Sequence, residues 1–217
     1  MHSTTMSSRQ QANRCETTVG TADILGSEAL IRRRKLGLIC SQKCPGDVIL
    51  KAYDFARLVR GSGLALVSGF HSPIERDCLS ILLRGSDPII IVQAHKLSTS
   101  RLPMEWQSAV DAGRLLLLSP FGKKEKRVTK ELATKRNRFV ASIADEVLIP
   151  YAAPGSKTEA LALEFLGAGK CVYTFDGGAS TSLGSHGAIV MSPESLSSHC
   201  KAGFREAVPT DAAYNKS

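Results

Sequence analysis

The sequence predicts an α/β fold, a three-layer doubly wound domain whose mainly parallel sheet has about six to seven strands. Three observations predict it. Apolar runs such as LALVS (64–68), PIIIVQA (88–94) and RLLLLSP (114–120) lack the alternation of a half-exposed strand, so both of their faces are covered. Helical stretches of about ten to eighteen residues separate these runs, enough for parallel crossovers. Small polar turns stand at the carboxyl ends of the strands, just before the helices, where ligands meet open parallel sheets.

Residues 1–22 are polar, rich in Ser, Thr and Gln, and without period, so they are expected to form a disordered tail. A second tail is expected over 206–217, leaving 23–205 as a single domain. LGLIC (36–40) is the first buried strand. GDVILKAYDFARLVRGSG (46–63) has an early Asp, helically spaced apolar residues and a closing Gly, the pattern of a helix. LALVS follows as a strand, and PIERDCLSILLRG (73–85) is a helix whose first turn holds Pro73 and Glu75. PIIIVQA is a strand, PMEWQSAVDAG (103–113) a helix, and RLLLLSP a strand. RVTKELATKRNRFVASIA (127–144) is a long helix before the strand EVLIPYA (146–152). KTEALALEFLGAG (157–169) and KCVYTFD (170–176) are the next helix and strand. GAIVM (187–191) and PESLSSHCKAGF (193–204) read as an added strand and small helix.

With 43% hydrophobic residues the chain can bury a sizeable core. No window approaches the roughly 20 uninterrupted apolar residues of a membrane span, and the N-terminus lacks a signal-peptide apolar region. A cytoplasmic location without membrane contact is therefore expected. The six cysteines form no C-x-x-C pair and are expected to be reduced thiols acting as small core residues. Neither metal nor cofactor is expected. There is no Walker A motif and no G-x-G-x-x-G, which disfavours ordinary NAD binding.

A net charge of +8 permits an anionic partner, and its distribution says more. PFGKKEKRVTKELATKRNR (120–138) holds Lys123, Lys124, Lys126, Arg127, Lys130, Lys135, Arg136 and Arg138, opposed only by Glu125 and Glu131. A second run, Arg32-Arg33-Arg34-Lys35, precedes the first strand. If both runs feed the same region, they make an anion-binding surface; separately, each is an ordinary solvated face.

Four strand ends supply the candidate ligand groups. After the first strand come Ser41, Gln42 and Lys43. After LALVS come Ser68, Gly69, Phe70, His71 and Ser72, with Ser72 as helix N-cap and Gly69 open to close backbone approach. Phe121, Lys123, Lys124 and Arg127 follow the fourth strand. Gly155, Ser156, Lys157 and Thr158 open the helix after the fifth, a place suited to phosphate. A tight strand-to-helix turn would also account for the Ser68–Ser72 stretch. In KRNRF, Arg136 and Arg138 flank Asn137 and diverge by about 200° on a helix. One of the two arginines is expected at the ligand edge and the other paired with an acid such as Asp145 or Glu159.

These motifs resemble the DNA-processing protein A (DprA/Smf) family, within a superfamily that also holds the Lonely Guy (LOG) phosphoribohydrolases and the molybdenum-cofactor carriers. The resemblance runs over about residues 36–190: GLICSQKCPG for the first-strand loop, LALVSGFHSPIERDCL for the S-G-x-A-x-G-I-D segment, DAGRLLLLSPF, RNRFVASIADEVLIP for the R-N-R segment, and APGSKTEALALEFLGAGKCVYTFD. It implies a Rossmann-like core that binds single-stranded DNA or a nucleotide over the carboxyl edge of its sheet, self-associates as a homodimer, and serves DNA uptake or recombination. Cys40-Ser41-Gln42 replaces the family's Gly-Ser-Arg, with Lys43 available instead, and the winged-helix and N-terminal helical domains are missing from this sequence. The chain is accordingly expected to be a stand-alone core. Lys43, Lys123, Lys124, Lys126, Arg127 and Arg136 would contact phosphates, and Phe70 or Phe121 would offer a stacking face. The alternative is a LOG-like phosphoribohydrolase acting on nucleoside monophosphates, with Glu159 as general acid/base and Arg136 as phosphate anchor, or a protein that senses or carries a nucleotide.

Overall fold

Fully apolar strands need cover on both sides, and the computed structural model supplies it. It describes residues 13–17, 20–97, 102–122, 125, 127–177 and 181–203. In chain order the elements are β1 (Asn13–Thr17), β2 (Gly20–Gly26), β3 (Lys35–Leu38), α1 (Gly46–Leu58), β4 (Ala65–Ser68), α2 (Pro73–Leu83), β5 (Ile89–Val92), α3 (Met104–Asp111), β6 (Leu115–Ser119), α4 (Lys130–Ile143), β7 (Glu146–Leu148), α5 (Lys157–Gly167), β8 (Val172–Phe175), α6 (Thr181–Ser185), β9 (Ile189–Met191) and α7 (Pro193–Ala202). A short 3-10 turn over Glu28–Arg32 leads into β3.

The strands form one nine-stranded sheet in the order β1-β2-β6-β5-β4-β3-β7-β8-β9. From β6 across to β9 every pairing is parallel. Alternate side chains enter two separate cores. Leu36, Leu66, Ile89, Leu117 and Leu148 pack with α1, α2, α3 and α7. Val67, Ile90, Leu118, Val147 and Ile149 pack with α4, α5 and α6. Gly37 lets α4 settle close to β3, since a Cβ there would lie 3.2 Å from the Ala144 Cβ. This is the three-layer, Rossmann-like doubly wound arrangement read from the sequence.

The sheet is wider than the six to seven strands expected, and the tail expected over 1–22 contains structure. Residues 13–26 make the antiparallel pair β1–β2, which joins β6 with Asp23 opposite Ser119 and Gly26 opposite Leu116. Cys15, Ala22 and Ile24 are buried against the sheet. Their apolar pattern is sparse, so the hairpin depends on β6 as a docking edge rather than on its own period. Residues 1–12 and 204–217 lie outside the described residues. Among the described residues no helix is long and apolar enough to cross a membrane.

Candidate functional site

From β3 the chain winds outward through β4, β5 and β6, then returns to place β7 on the other side of β3. That reversal opens a crevice beyond the carboxyl ends of β3 and β7, flanked by the N-termini of α1 and α5. Ser41 sits in it and ties the two strand ends together. Its N–H donates to the Tyr151 carbonyl at 3.1 Å. Its Oγ accepts the Ala153 N–H at 3.0 Å and lies 3.5 Å from the Ser156 Oγ.

Ser156 caps α5 by accepting the Glu159 N–H at 3.1 Å. The preceding turn needs Gly155, whose φ of +71° costs an L-residue about 1 kcal/mol. Both oxygens of Glu159 are occupied, one by the Gly155 N–H at 2.7 Å and the other by the Ser182 hydroxyl at 2.8 Å. The Gly155 N–H, and then Ser182, hold this carboxyl below its ordinary range. Because its folded value is depressed, its contribution to stability is present above the ordinary carboxylate range and is lost as pH falls through the lowered one.

The β4–α2 turn is built around Glu75, a buried carboxylate that sequence reading treated only as a favourable first-turn acid. Its oxygens accept the N–H groups of Cys40 at 2.9 Å, His71 at 2.8 Å and Ser72 at 3.3 Å. Ser72 completes a capping box by accepting the Glu75 N–H. The Ser-x-x-Glu spacing was the signal available for it. Glu75 thereby fastens the end of β3 to the turn after β4.

Arg136 reaches this turn from α4 and is only 5% exposed. A Cβ at Gly69 would collide with its guanidinium, so glycine is what lets the side chain lie against the strand end. Nε and Nη2 both donate to the Asn137 Oδ1, at 3.0 and 2.7 Å. Among the described residues no carboxylate lies within ion-pair distance of it. Burial pulls its pKa down, and the field of Glu75 opposes that. We expect Gly69→Ala to push Arg136 out of place at a cost of about 1–3 kcal/mol, read as a lower midpoint in urea unfolding.

The other predicted residues divide clearly. Gln42, Lys43, His71, Arg127 and Lys157 are exposed, and Thr158 is half-buried in the first turn of α5. Ser68 is buried and its Oγ accepts the Phe70 N–H at 3.0 Å. Phe121 is half-buried and follows β6, three strand spacings from β3; its N–H donates to the Ser119 Oγ at 3.1 Å. The turns around Ser41, Gly69 and Gly155 are thus joined directly, while the Phe121 turn lies farther along the same edge. Lys123, Lys124 and Lys126 lie outside the described residues.

Three expectations need correction. Phe70 is no stacking face, because it is buried in the core with a φ of +44°. Arg138 pairs with neither Asp145 nor Glu159; its guanidinium grips Glu164 of α5 at 2.7–3.0 Å. The Arg32–Lys35 run precedes a parallel strand and therefore occupies the opposite, amino edge. There Lys35 Nζ donates to the Ile31 and Arg33 carbonyls, and Arg34 donates to the Cys200 carbonyl. Among the described residues no group of three His, Cys, Asp or Glu side chains could hold a metal ion.

No family model and no curated protein matches the sequence. Solved structures do match the fold. The DNA processing protein A (DprA) of Streptococcus pneumoniae superposes with a TM-score of 0.66 at 20% identity, over 81% of this chain and 64% of that one. The fold is that of DprA. The Helicobacter pylori DprA, described for its single-stranded DNA binding mode, matches at TM-score 0.71 and 18% identity, over 89% of this chain and 97% of that one. A molybdenum cofactor binding protein from Rippkaea orientalis shares the core at TM-score 0.56 and 16% identity, over 80% of this chain and 99% of that one. The chain spans less than two thirds of the S. pneumoniae DprA, and the shared part carries the Rossmann-like core.

Proposed function

We propose that this chain binds single-stranded DNA, or a nucleotide through its phosphate, along the carboxyl edge of its sheet. The observation that carries the reading is Arg136: a buried guanidinium beside the crevice with no carboxylate in contact. Burying a charge without an opposite partner costs several kcal/mol, and a ligand phosphate would supply that partner. Ser41, Ser156, Thr158 and the N–H groups opening α5 add donors, and Lys43, Arg127 and Lys157 add positive charge along the path. The fold shared with a DprA described for binding single-stranded DNA is consistent with this edge being used. In the same reading the protein is a cytoplasmic homodimer serving DNA uptake or recombination.

A labelled oligonucleotide tests the location. Neutralising Lys43 (Lys43→Gln) is expected to weaken binding several-fold, whatever the base sequence. Arg84 caps the opposite end of α2, at the amino edge, so Arg84→Gln should leave affinity unchanged. Equal effects from the two would move binding away from this edge.

The hydrolase alternative needs Glu159 as general acid/base. That carboxyl caps its own helix and is held ionised, a poor state for protonating a leaving base. Incubation with AMP is expected to release no adenine.

A further inference from the structure

The crevice loop carries a pair of thiols that ligand binding does not use. The chain bends at Gln42 and Lys43 and returns Cys44 to the neighbourhood of Cys40. Both sulfurs pack at the margin of the same apolar cluster, Cys40 buried and Cys44 half-buried. The two side chains interact directly, with the Cys40 S–H donating to the Cys44 sulfur. Cys44 also stands just before Pro45, the N-cap of α1, where the helix end favours negative charge. The Cys40 contact holds the Cys44 thiol below its ordinary range, while that same contact and burial push Cys40 well above it. The pair therefore divides into an accessible attacking thiolate and a sheltered partner.

We propose that Cys40 and Cys44 are a redox modification site, a dithiol that closes reversibly to a disulfide and in doing so changes ligand binding at the crevice. The oxidant class is a peroxide. Cys44 thiolate attacks one peroxide oxygen, the O–O bond breaks, and the departing hydroxide takes a proton to leave as water. Cys44 is then a sulfenic acid. The Cys40 sulfur, giving up its proton, attacks the Cys44 sulfur; the S–O bond breaks and a second water leaves. Two thiols are oxidised by two electrons and one hydrogen peroxide becomes two waters. A small-molecule thiol reverses the step through a mixed disulfide.

The effect on binding, which rests on the reading given under Proposed function, follows from what lies inside the ring. Ser41, Gln42 and Lys43 are the three residues between the sulfurs. Drawing the sulfurs to about 2.05 Å must move the Ser41 backbone and hydroxyl that hold Tyr151 and Ala153. Oxidation should weaken phosphate binding.

Trypsin cuts at Lys35, Lys43 and Lys51, so the two cysteines fall on separate peptides, Leu36–Lys43 and Cys44–Lys51. After brief treatment of the whole folded protein with hydrogen peroxide, mass spectrometry should find these two peptides linked, and dithiothreitol should separate them. Before oxidation, limited alkylation should label Cys44 ahead of the similarly half-buried Cys171, whose thiol burial pushes up. Oxidised protein should bind a labelled oligonucleotide at least about fivefold more weakly, with recovery on reduction and no change in Cys44→Ser. Separate peptides after peroxide would overturn the dithiol. Linked peptides with unchanged affinity would overturn its coupling to the ligand. If the reduced protein binds no oligonucleotide, the nucleic-acid reading fails while the peptide linkage still decides the chemistry.

Discussion

Arg136→Met is expected to lower oligonucleotide affinity by about 10-fold to 100-fold while leaving the protein as stable as before or slightly more so. The two halves of that result come from one geometry. A bidentate guanidinium–phosphate contact supplies about 1.5–3 kcal/mol, and a thioether supplies none of it. The free protein, however, buries this guanidinium with only Asn137 bonded to it. An apolar side chain of similar volume avoids that desolvation, and replacing buried charge by well-packed apolar groups is commonly neutral or stabilising. A structural arginine would behave oppositely, with stability falling and binding following it. Thermal unfolding and fluorescence anisotropy on the same preparation separate the two.

Glu75→Ala has the larger effect on folding. Three backbone N–H groups from two strand ends converge on its carboxylate, and all three lose their acceptor in a buried place. Breaking such a network costs about 3–5 kcal/mol. For a chain of this length that lowers Tm by about 6–20 °C. Glu75→Gln keeps one carbonyl acceptor and should cost less. Both changes also remove the negative field opposite Arg136, so the surviving folded protein should attract phosphate no less strongly. Differential scanning calorimetry of the two variants reads the stability effect; equal and negligible shifts would show that Glu75 does not hold the turn.

The order of elements from β3 to α7 was legible because each strand is apolar on both faces and each helix carries its own punctuation. Ser72-Pro73 and Ser156-Lys157 mark two helix starts without any tertiary knowledge. The β1–β2 hairpin was not legible: its few apolar residues gain their meaning only from pairing with β6. Arg136 was placed at the ligand edge by helical geometry, but Arg138's partner depended on where α5 packs, which a single sequence does not state. Phe70 misled because an aromatic side chain in a polar turn reads as exposed. Its left-handed backbone turns the ring inward instead. The second basic run misled for a topological reason, since residues before a parallel strand lie at the opposite edge from residues after one.

The most direct test of the crevice as a phosphate-binding edge is the salt dependence of binding to a short oligothymidine strand. Three neutralised phosphates release counterions and give a slope near −2 in log K against log salt, about −0.7 for each phosphate. The account predicts a slope at least that steep in the native protein and one shallower by about one phosphate in Arg136→Met. A flat dependence in the native protein, or an identical slope in both, would contradict it.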